Sequence, residues 1–265
     1  MPGGECWTFR TEHRLRGYMA HEFGPGSILR CWSHAVSSDA PHYVLPNAEI
    51  NIVARYSGRY SRVEIFGMAT EARWFRPNAG ETLLSVTLSP ERALALGLHP
   101  RDWTDRLGAA PDVLQDSLAP LADSLVGRTE RYARHRWLDA INRLSREREN
   151  TFAAYSQTHI RAMHGRVSLA GLAKRMQVSE RLLQRRFHDM LGLTPKRYAQ
   201  QIRLAETIAL ADAKPRPAWA DLAAANGYYD QSHLIRDCKK LTGVSPARLH
   251  ALRTASEKSN TATMA

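Results

Sequence analysis

One segment of the carboxy-terminal part of the chain occurs twice, 51 residues apart. GLTPKRY at 192–198 recurs as GVSPARL at 243–249. The segment that precedes it repeats at the same offset, because SERLLQRRFHDML at 179–191 corresponds to DQSHLIRDCKKLT at 230–242. Self-similarity at a fixed offset indicates that one supersecondary unit has been used twice. This repeat therefore predicts two copies of a small helical unit.

Each copy has the pattern of two helices joined by a tight turn. In the first copy Ser168 caps LAGLAKRM, the turn falls at 177–178, and Ser179 caps the second helix. In the second copy WADLAAAN is followed by Gly227, which can adopt positive φ, and Asp230 caps the next helix. A short turn between two capped helices is typical of helix-turn-helix units.

The second helix of each unit is predicted to expose polar side chains that can contact base edges. Arginine can donate two hydrogen bonds to guanine, and glutamine can pair in the same way with adenine, both in the major groove. The helix that follows begins with Lys196 and Arg197, which suit phosphate contacts. The candidate base-reading residues are Arg181, Gln184 and Arg185 in the first unit, and Gln231, Ser232, His233 and Arg236 in the second.

The positive charge of the chain is concentrated around these units. The formal net charge is +11, and residues 159–255 contain 17 basic and 7 acidic residues. Residues 1–158 contain 19 basic and 18 acidic residues, so they are nearly neutral. A basic module favours a polyanionic partner, because neutralising phosphates releases counterions.

Other features argue against a membrane, a metal or a cofactor as partner. Anionic lipids would also attract the basic module, but no apolar run approaches the roughly 18–20 residues that span a bilayer. The first residues have no apolar signal-peptide core, so we expect a cytoplasmic protein. Cys6, Cys31 and Cys238 are widely spaced, which indicates neither a disulfide framework nor a metal site. We expect no cofactor.

Residues 160–252 resemble the DNA-binding domain of the AraC/XylS family of transcription regulators. The resemblance is carried by GYYDQSH at 227–233, by GVSP at 243–246, and by the helix PKRYAQQIRLAETIALA that joins the two units. It implies that the candidate residues named above face the bases, and that the joining helix holds both units against successive major-groove segments of double-stranded promoter DNA. It also implies an activator that contacts RNA polymerase.

Three residues depart from the family pattern. Cys238 stands where an aromatic core residue is usual, which predicts looser packing of the second unit. Gln177 stands where a turn glycine is common, and Trp219 where an aliphatic residue is expected. None of these departures removes a candidate reading residue.

Residues 1–158 are predicted to form an α+β domain, followed by the all-α module at 159–255 and a disordered tail at 256–265. Short β-favouring runs occur at 28–32, 50–56, 62–67 and 83–88, which predicts a small antiparallel sheet. Helices are predicted from Ser89, over 112–126, and as one long helix or a helix pair over 130–163, where 143–150 could be a hinge.

The amino-terminal domain weakly resembles the sensing domains of some family members, through VLPNAEINIVARYSG and FGMAT. We therefore expect it to bind a small-molecule effector or to form a homodimer. Candidate effector-binding residues are His42, Glu49, Trp74 and Phe75. The alternative is that these residues only pack the sheet, since aromatic residues in strands usually do so.

Two other classes of function compete with a regulator. An alkyltransferase fused to a DNA reader would need an activated thiolate in a Pro-Cys-His setting, and neither Cys6 nor Cys31 has such neighbours. The sequence also contains no nucleophile elbow, phosphate loop or zinc protease motif, so we expect no enzyme. An architectural or RNA-binding protein is disfavoured, because paired helix-turn-helix units suit the major groove of B-form DNA.

Overall fold

A computed structural model of the chain describes residues 18–22, 28–39, 41–58, 60–144 and 151–262. The amino-terminal part is a sheet covered by helices, and the carboxy-terminal part is helical. The strands are β1 (Tyr18–Glu22), β2 (Ile28–Ala35), β3 (His42–Val44), β4 (Ile50–Tyr56), β5 (Ser61–Phe66), β6 (Arg73–Phe75), β7 (Thr82–Leu88) and β8 (Leu107–Ala109).

The helices follow the order that the sequence predicts. They are α1 (Pro90–Ala95), α2 (Asp112–Ser124), α3 (Glu130–Leu144), α4 (Thr151–Ala162), α5 (Leu169–Arg175), α6 (Glu180–Leu191), α7 (Pro195–Asp212), α8 (Trp219–Ala225), α9 (Gln231–Thr242) and α10 (Pro246–Ala262), with a 3-10 helix at Pro100–Trp103. The predicted stretch 130–163 is a helix pair, and most of the predicted hinge, residues 145–150, lies outside the described residues.

Six strands form one antiparallel sheet in the order β1-β2-β7-β4-β5-β8, and β3 pairs with β6 in a separate two-stranded antiparallel sheet. The four predicted strand runs correspond to β2, β4, β5 and β7, which occupy the middle of the large sheet. The fold class predicted from the sequence, an α+β domain followed by an all-α domain, is confirmed.

One face of the large sheet packs against α2 and α3. Ile52, Ala54 and Val86 on this face belong to the same buried cluster as Leu118 and Trp137 on the two helices. The indole N–H of Trp137 donates a hydrogen bond to the backbone oxygen of Ile52 at 3.3 Å. The helices therefore form an outer layer whose other side faces solvent.

The opposite face of the sheet is unusually polar for a buried surface. The side-chain oxygen of Asn51 accepts hydrogen bonds from Thr87 at 2.6 Å and Ser85 at 3.3 Å. Arg55 is paired with Glu81 at 2.6 Å. Because each of these buried groups has a partner, the sheet tolerates a polar face without a large desolvation penalty.

The sheet and the first helix-turn-helix unit share one hydrophobic core, which differs from the predicted domain division at residue 158. That boundary falls inside α4, since no glycine or proline interrupts the chain between 152 and 164. Ile160 on α4 and Phe187 on α6 belong to the same buried cluster as Val86 on β7. The second unit has its own cluster around Leu234 and Cys238.

The end of the chain also differs from its prediction. Helix α10 continues to Ala262, whereas the sequence predicts a disordered tail at 256–265. The segment after Pro246 contains no glycine or further proline, so nothing in it stops the helix. The last three residues lie outside the described part of the chain.

Candidate nucleic-acid interface

Each predicted recognition helix begins after the N-cap residue that the sequence indicates. The hydroxyl of Ser179 accepts a hydrogen bond from the backbone N–H of Leu182 at the start of α6. The carboxylate of Asp230 accepts one from His233 at the start of α9. Both helices end at a glycine in the left-handed region, Gly192 with φ 67° and Gly243 with φ 74°. The two helices are thus equivalent elements of the repeat.

The apolar side of each recognition helix is buried, which fixes which side faces outward. In α6 the buried side chains include Leu183 and Phe187, and in α9 they include Leu234 and Cys238. The remaining candidate side chains are exposed. Their side chains form no hydrogen bond or ion pair with any other residue that the structure describes. These exposed candidates are Arg181, Gln184, Arg185, Gln231, Ser232 and Arg236.

His233 differs from the other candidates, because both of its ring nitrogens have partners in the protein. Nδ1 accepts a hydrogen bond from the backbone N–H of Tyr229 at 3.4 Å. Nε2 lies 3.6 Å from the carboxylate of Asp237, one turn further along α9. A base contact by His233 would have to replace one of these interactions.

The two candidate phosphate-binding residues at the start of α7 also differ. Lys196 is exposed, next to the helix start that Thr194 caps. Arg197 is partly buried and donates a hydrogen bond to the backbone oxygen of Thr70 at 3.0 Å. Arg197 therefore connects the module to the amino-terminal part of the chain.

Sequence reasoning missed Arg248, the counterpart of Arg197 in the second unit. Arg248 is exposed, and its backbone N–H donates to the hydroxyl of Ser245 at 3.4 Å. The offset of 51 residues was enough to find it, since Arg197 and Arg248 occupy the same place in the repeat. It is a second candidate for a phosphate contact.

A buried acid on α9 positions the second recognition helix against α7. The carboxylate of Asp237 accepts a hydrogen bond from Gln200 at 3.2 Å and lies 3.8 Å from the guanidinium of Arg203. Arg203 also donates to the backbone oxygen of Gly227 at 3.1 Å, in the turn before α9. Sequence analysis did not single out Asp237, because a charged residue on a helix is ordinarily solvated.

The turns of the two units differ by one residue. The N-caps of α5 and α8 lie 50 residues apart, whereas those of α6 and α9 lie 51 apart. Gln177, with φ 56°, takes the left-handed position that Gly227 occupies in the second unit. Within the second turn Tyr228 is buried and joins the same cluster as Cys238, so this aromatic ring adds volume next to the small cysteine.

The segment 67–72, which we call the brace segment, connects the amino-terminal part to the second half of the module. Its backbone oxygen at Ala69 accepts a hydrogen bond from Gln201 on α7 at 3.1 Å. Its backbone N–H at Ala72 donates to Leu241 near the end of α9 at 3.0 Å. Beside it, the hydroxyl of Tyr43 donates to the backbone oxygen of Thr242.

The brace segment is also tied to the first recognition helix through the 3-10 helix. The carboxylate of Asp105 accepts hydrogen bonds from the backbone N–H and the hydroxyl of Thr70, both at 2.7 Å. The 3-10 helix just before Asp105 packs against the end of α6, where a Cβ on Gly192 would lie 3.0 Å from Thr104. The brace segment and the 3-10 helix together therefore contact both recognition helices near their carboxyl ends.

The four candidate effector-binding residues do not converge on one cavity. His42 and Phe75 are register partners of β3 and β6, so their side chains lie on the same side of that pair. Trp74 lies on the other side, half exposed, with its ring 4.8 Å from that of Tyr43. The carboxylate of Glu49 is paired with Arg30 and with Arg161, the latter at 3.0 Å.

A buried histidine pair on the polar face of the sheet makes stability depend on pH. The rings of His34 and His42 lie 5.4 Å apart. Burial, reinforced by His42, lowers the pKa of His34 from 6.5 to about 4. The unfolded chain therefore binds more protons between these values, and the stabilisation present above pH 6.5 is lost as the pH falls towards 4.

We expect a His34→Leu variant to remove much of this dependence. The parent should lose up to about 3 kcal/mol of unfolding free energy through this group between pH 6.5 and 4, given about 1.4 kcal/mol per unit of pKa. Urea unfolding of both proteins at pH 7, 6, 5 and 4.5 measures the difference. Parallel curves for parent and variant would show that His34 is not the group that titrates.

The two described cysteines are buried thiols without the surroundings of a nucleophile. Burial raises the pKa of Cys31 to about 12 and that of Cys238 to about 11. Both thiols are therefore protonated near neutral pH, whereas a reactive cysteine needs a lowered pKa. Cys6 lies outside the described residues.

In the part of the chain that the structure covers, no helix has the length and apolar character needed to cross a membrane.

Among curated proteins none matches the chain. In solved structures, the C-terminal domain of AraT, a response regulator from Geobacillus stearothermophilus, is 22% identical, with 40% of this chain and 88% of that chain covered and a TM-score of 0.36.

Two structures of ToxT from Vibrio cholerae are each 9% identical to the chain. The alignment with the first covers 90% of this chain and 99% of the ToxT chain, with a TM-score of 0.44. The alignment with the second, which has an unsaturated fatty acid bound, covers 90% of this chain and 96% of the ToxT chain, with a TM-score of 0.45. The Helix-turn-helix domain family matches residues 172–251, which contain the turns and recognition helices described above. Residues 172–251 thus form an AraC-type helix-turn-helix domain.

Proposed function

We propose that this protein is a sequence-specific regulator of transcription that reads two successive major-groove segments with α6 and α9. The observation that carries the proposal is the equivalence of Arg185 and Arg236. They occupy the same place in the repeat, both are exposed, and each lies on a helix whose other side is buried. Arginine in such a position can hydrogen-bond to both acceptors of a guanine.

The basic charge of the module supplies the part of binding that does not depend on sequence. Exposed cations flank the recognition helices at positions that suit phosphates, with Lys196 after α6 and Arg248 after α9. Both residues lie in the first turn of a helix, where the positive end of the helix dipole adds to the attraction of an anion. Phosphate contacts would set the register, and the exposed arginines would select the sequence.

Binding to duplex DNA and to duplex RNA of the same sequences tests this function. We expect the full chain to bind a fluorescent pool of about 40-base-pair DNA duplexes more tightly than the RNA pool, because the major groove of A-form RNA is too narrow for a helix. The DNA affinity should fall steeply with salt. Equal or tighter binding to RNA would overturn the proposal.

For Lys196→Ala we expect a loss of affinity that is similar for all DNA sequences. The lysine contributes one phosphate contact, so the slope of log K against log salt should become less steep by about 1. Anisotropy titrations with a selected and a random duplex at three salt concentrations measure this. Lys214→Ala, an exposed lysine in the loop after α7, is the matched control. A loss confined to the selected duplex would instead assign Lys196 to base reading.

The amino-terminal part has the contacts required to regulate this reader. The brace segment and the 3-10 helix contact α6, α7 and the end of α9, so a displacement of these two segments would alter contacts with both recognition helices. We infer that a small-molecule effector or a protein partner acts through these contacts. This is a coupling between two sites, in which the effector would favour one arrangement of the two units.

We infer an activator that contacts RNA polymerase, binds promoter DNA in the cytoplasm as a homodimer, and has no catalytic activity. For the effector, titration of candidate metabolites while operator affinity is measured provides the test. A library that leaves the affinity unchanged would argue against a sensing role for this domain.

A further inference from the structure

The turn that precedes α9 contains one residue more than the turn that precedes α6, and that residue is Tyr229. The backbone N–H groups of Val178 and Tyr228 each donate to the oxygen of the alanine five residues earlier, at 3.0 Å, so these two residues are equivalent. In the first unit the N-cap, Ser179, follows directly, whereas in the second unit Tyr229 stands before the N-cap. Tyr229 therefore has no counterpart in the first unit.

The side chain of Tyr229 projects into solvent. The residue is 93% exposed, which is more than any other large hydrophobic residue that the structure describes. Its side chain has no hydrogen bond or ring contact to any described residue. The neighbouring Tyr228 is buried in the core of the second unit, so the two tyrosines of this turn differ in their surroundings. The fold thus gains no packing from the ring of Tyr229.

The backbone around Tyr229 is held in place from both sides. Before it, Arg203 donates a hydrogen bond to the backbone oxygen of Gly227 at 3.1 Å. After it, the backbone N–H of Tyr229 donates to Nδ1 of His233 at 3.4 Å, and the carboxylate of Asp230 caps the helix. Because the backbone is fixed and tyrosine has few side-chain torsions, placing this ring on a partner costs little conformational entropy.

The second unit carries less positive charge than the first. Residues 168–198 contain seven basic and two acidic residues, whereas residues 218–249 contain four basic and three acidic residues. Ion pairs with phosphates therefore contribute less to DNA binding by the second unit. Contacts that need no charge take a larger share in holding α9 in its groove. Tyrosine can supply such a contact, because it combines an apolar ring with a hydroxyl donor.

We propose that Tyr229 contacts the DNA backbone beside the segment that α9 reads. Its hydroxyl donates a hydrogen bond to a phosphate oxygen, and its ring packs against the adjacent deoxyribose. The amino-terminal half of a recognition helix faces the base edges, so a residue just before the N-cap lies at the rim of the groove, where the sugar–phosphate chain runs. Tyrosine is among the side chains that contact phosphates in this way. The proposal rests on the reading of DNA by α9 and adds a neutral contact that fixes the register of this helix.

A base contact is the competing role for Tyr229, because an aromatic ring can pack on the methyl group of thymine. Gln231 and Ser232 disfavour this role. Both are exposed in the first turn of α9, after the N-cap, so they lie closer to the base edges than a residue that precedes the helix. A backbone contact and a base contact differ in their dependence on DNA sequence.

Tyr229→Phe and Tyr229→Ala in the full-length chain test this contact by anisotropy titration with a selected and a random duplex at three salt concentrations. Tyr132→Phe, which removes an exposed hydroxyl from α3, is the matched control. Arg236→Ala is measured in parallel, because it relaxes the sequence preference if α9 reads DNA. Thermal unfolding should be unchanged in the tyrosine variants, since the replaced side chains are exposed.

We expect Tyr229→Phe to bind both duplexes about three- to tenfold more weakly than the parent, because one neutral hydrogen bond is lost. For Tyr229→Ala the loss should be about tenfold or more, since the ring contact is lost as well. The slope of log K against log salt should keep the parent's value, whereas loss of a cationic contact makes it less steep by about 1. Ethylation of one phosphate beside the box read by α9 should weaken binding of the parent but not of Tyr229→Phe.

The possible outcomes separate this contact from the reading of DNA by α9. If Tyr229→Phe bound both duplexes as the parent does while Arg236→Ala relaxed the sequence preference, the phosphate contact would be wrong and the reading helix would stand. A loss confined to the selected duplex would overturn the backbone contact and assign Tyr229 to base reading. If neither the Tyr229 variants nor Arg236→Ala changed binding, both proposals would fail.

Discussion

Replacing both Arg185 and Arg236 by alanine is expected to lower the affinity for a cognate operator by about 2–6 kcal/mol. Each arginine is exposed on a recognition helix and has no partner among the residues that the structure describes, so each can form a bidentate pair with guanine. One such pair contributes about 1–3 kcal/mol of discrimination. The single variants should each relax the preference at one base pair only. Competition titrations with operators that carry single-base changes measure both effects.

A double variant with the same loss of charge provides the control for these arginines. Arg76 and Arg106 are exposed in the amino-terminal part, so Arg76→Ala/Arg106→Ala should reduce DNA affinity only slightly and equally for all sequences. Thermal unfolding should be unchanged in both double variants, because the replaced side chains are exposed. If Arg185→Ala/Arg236→Ala bound cognate and random duplexes as the parent does, α6 and α9 would not be the reading helices.

The second large effect is expected at Gly67, where the brace segment passes the 3-10 helix. A Cβ at this position would lie 1.8 Å from the backbone oxygen of Trp103, a separation that no side-chain rotation can relieve. Gly67→Ala should therefore destabilise the fold by about 2–3 kcal/mol or more. For a chain of this size that corresponds to a fall in Tm of about 5–10 °C.

The same substitution should also disturb DNA binding in a specific way. Displacing the 3-10 helix moves its contact with the end of α6, and displacing the brace segment moves its contact with α9. At temperatures below Tm, we expect the variant to bind an operator with two recognition boxes more weakly than the parent does. Its affinity for a single box should be unchanged. Gly58→Ala is the control, because a Cβ at Gly58 meets nothing within 4 Å. Equal Tm values for the two alanine variants would contradict the tight contact at Gly67.

The helix-turn-helix units could be predicted in detail because their signals are local. Ser168, Ser179 and Asp230 cap their helices as predicted, and Gly192 and Gly243 end them. A cap depends only on a side chain and the next three residues, so its signature remains visible in sequence. The exposed and buried sides of α6 and α9 follow from the helical period in the same way.

The rest of the structure depends on contacts between distant parts of the chain. Strands β3 and β6 have only three residues each, too few for an alternating pattern to emerge. The role of Asp237 is decided by Gln200 and Arg203 on another helix. Arg197, predicted to contact phosphate, donates a hydrogen bond to the backbone oxygen of Thr70, 127 residues away. Nothing in the residues adjacent to these positions indicates such partners.

The effector-site candidates illustrate the same limit. His42 and Glu49, which the sequence analysis predicts to bind an effector, are both buried. In the structure Glu49 is held by two arginines from β2 and α4, and His42 lies beside His34 of β2. Polar residues in a strand region can serve a ligand or another part of the fold, and only tertiary structure separates these roles.

Selection of bound duplexes from a random pool tests most directly whether the two repeated helices read one DNA together. The parent protein should enrich two short boxes whose centres lie about one helical turn, roughly 10 base pairs, apart. In parallel selections, Arg185→Ala should lose preference within one box and Arg236→Ala within the other. A single enriched box, or two boxes that both variants leave unchanged, would contradict the paired reading of neighbouring grooves.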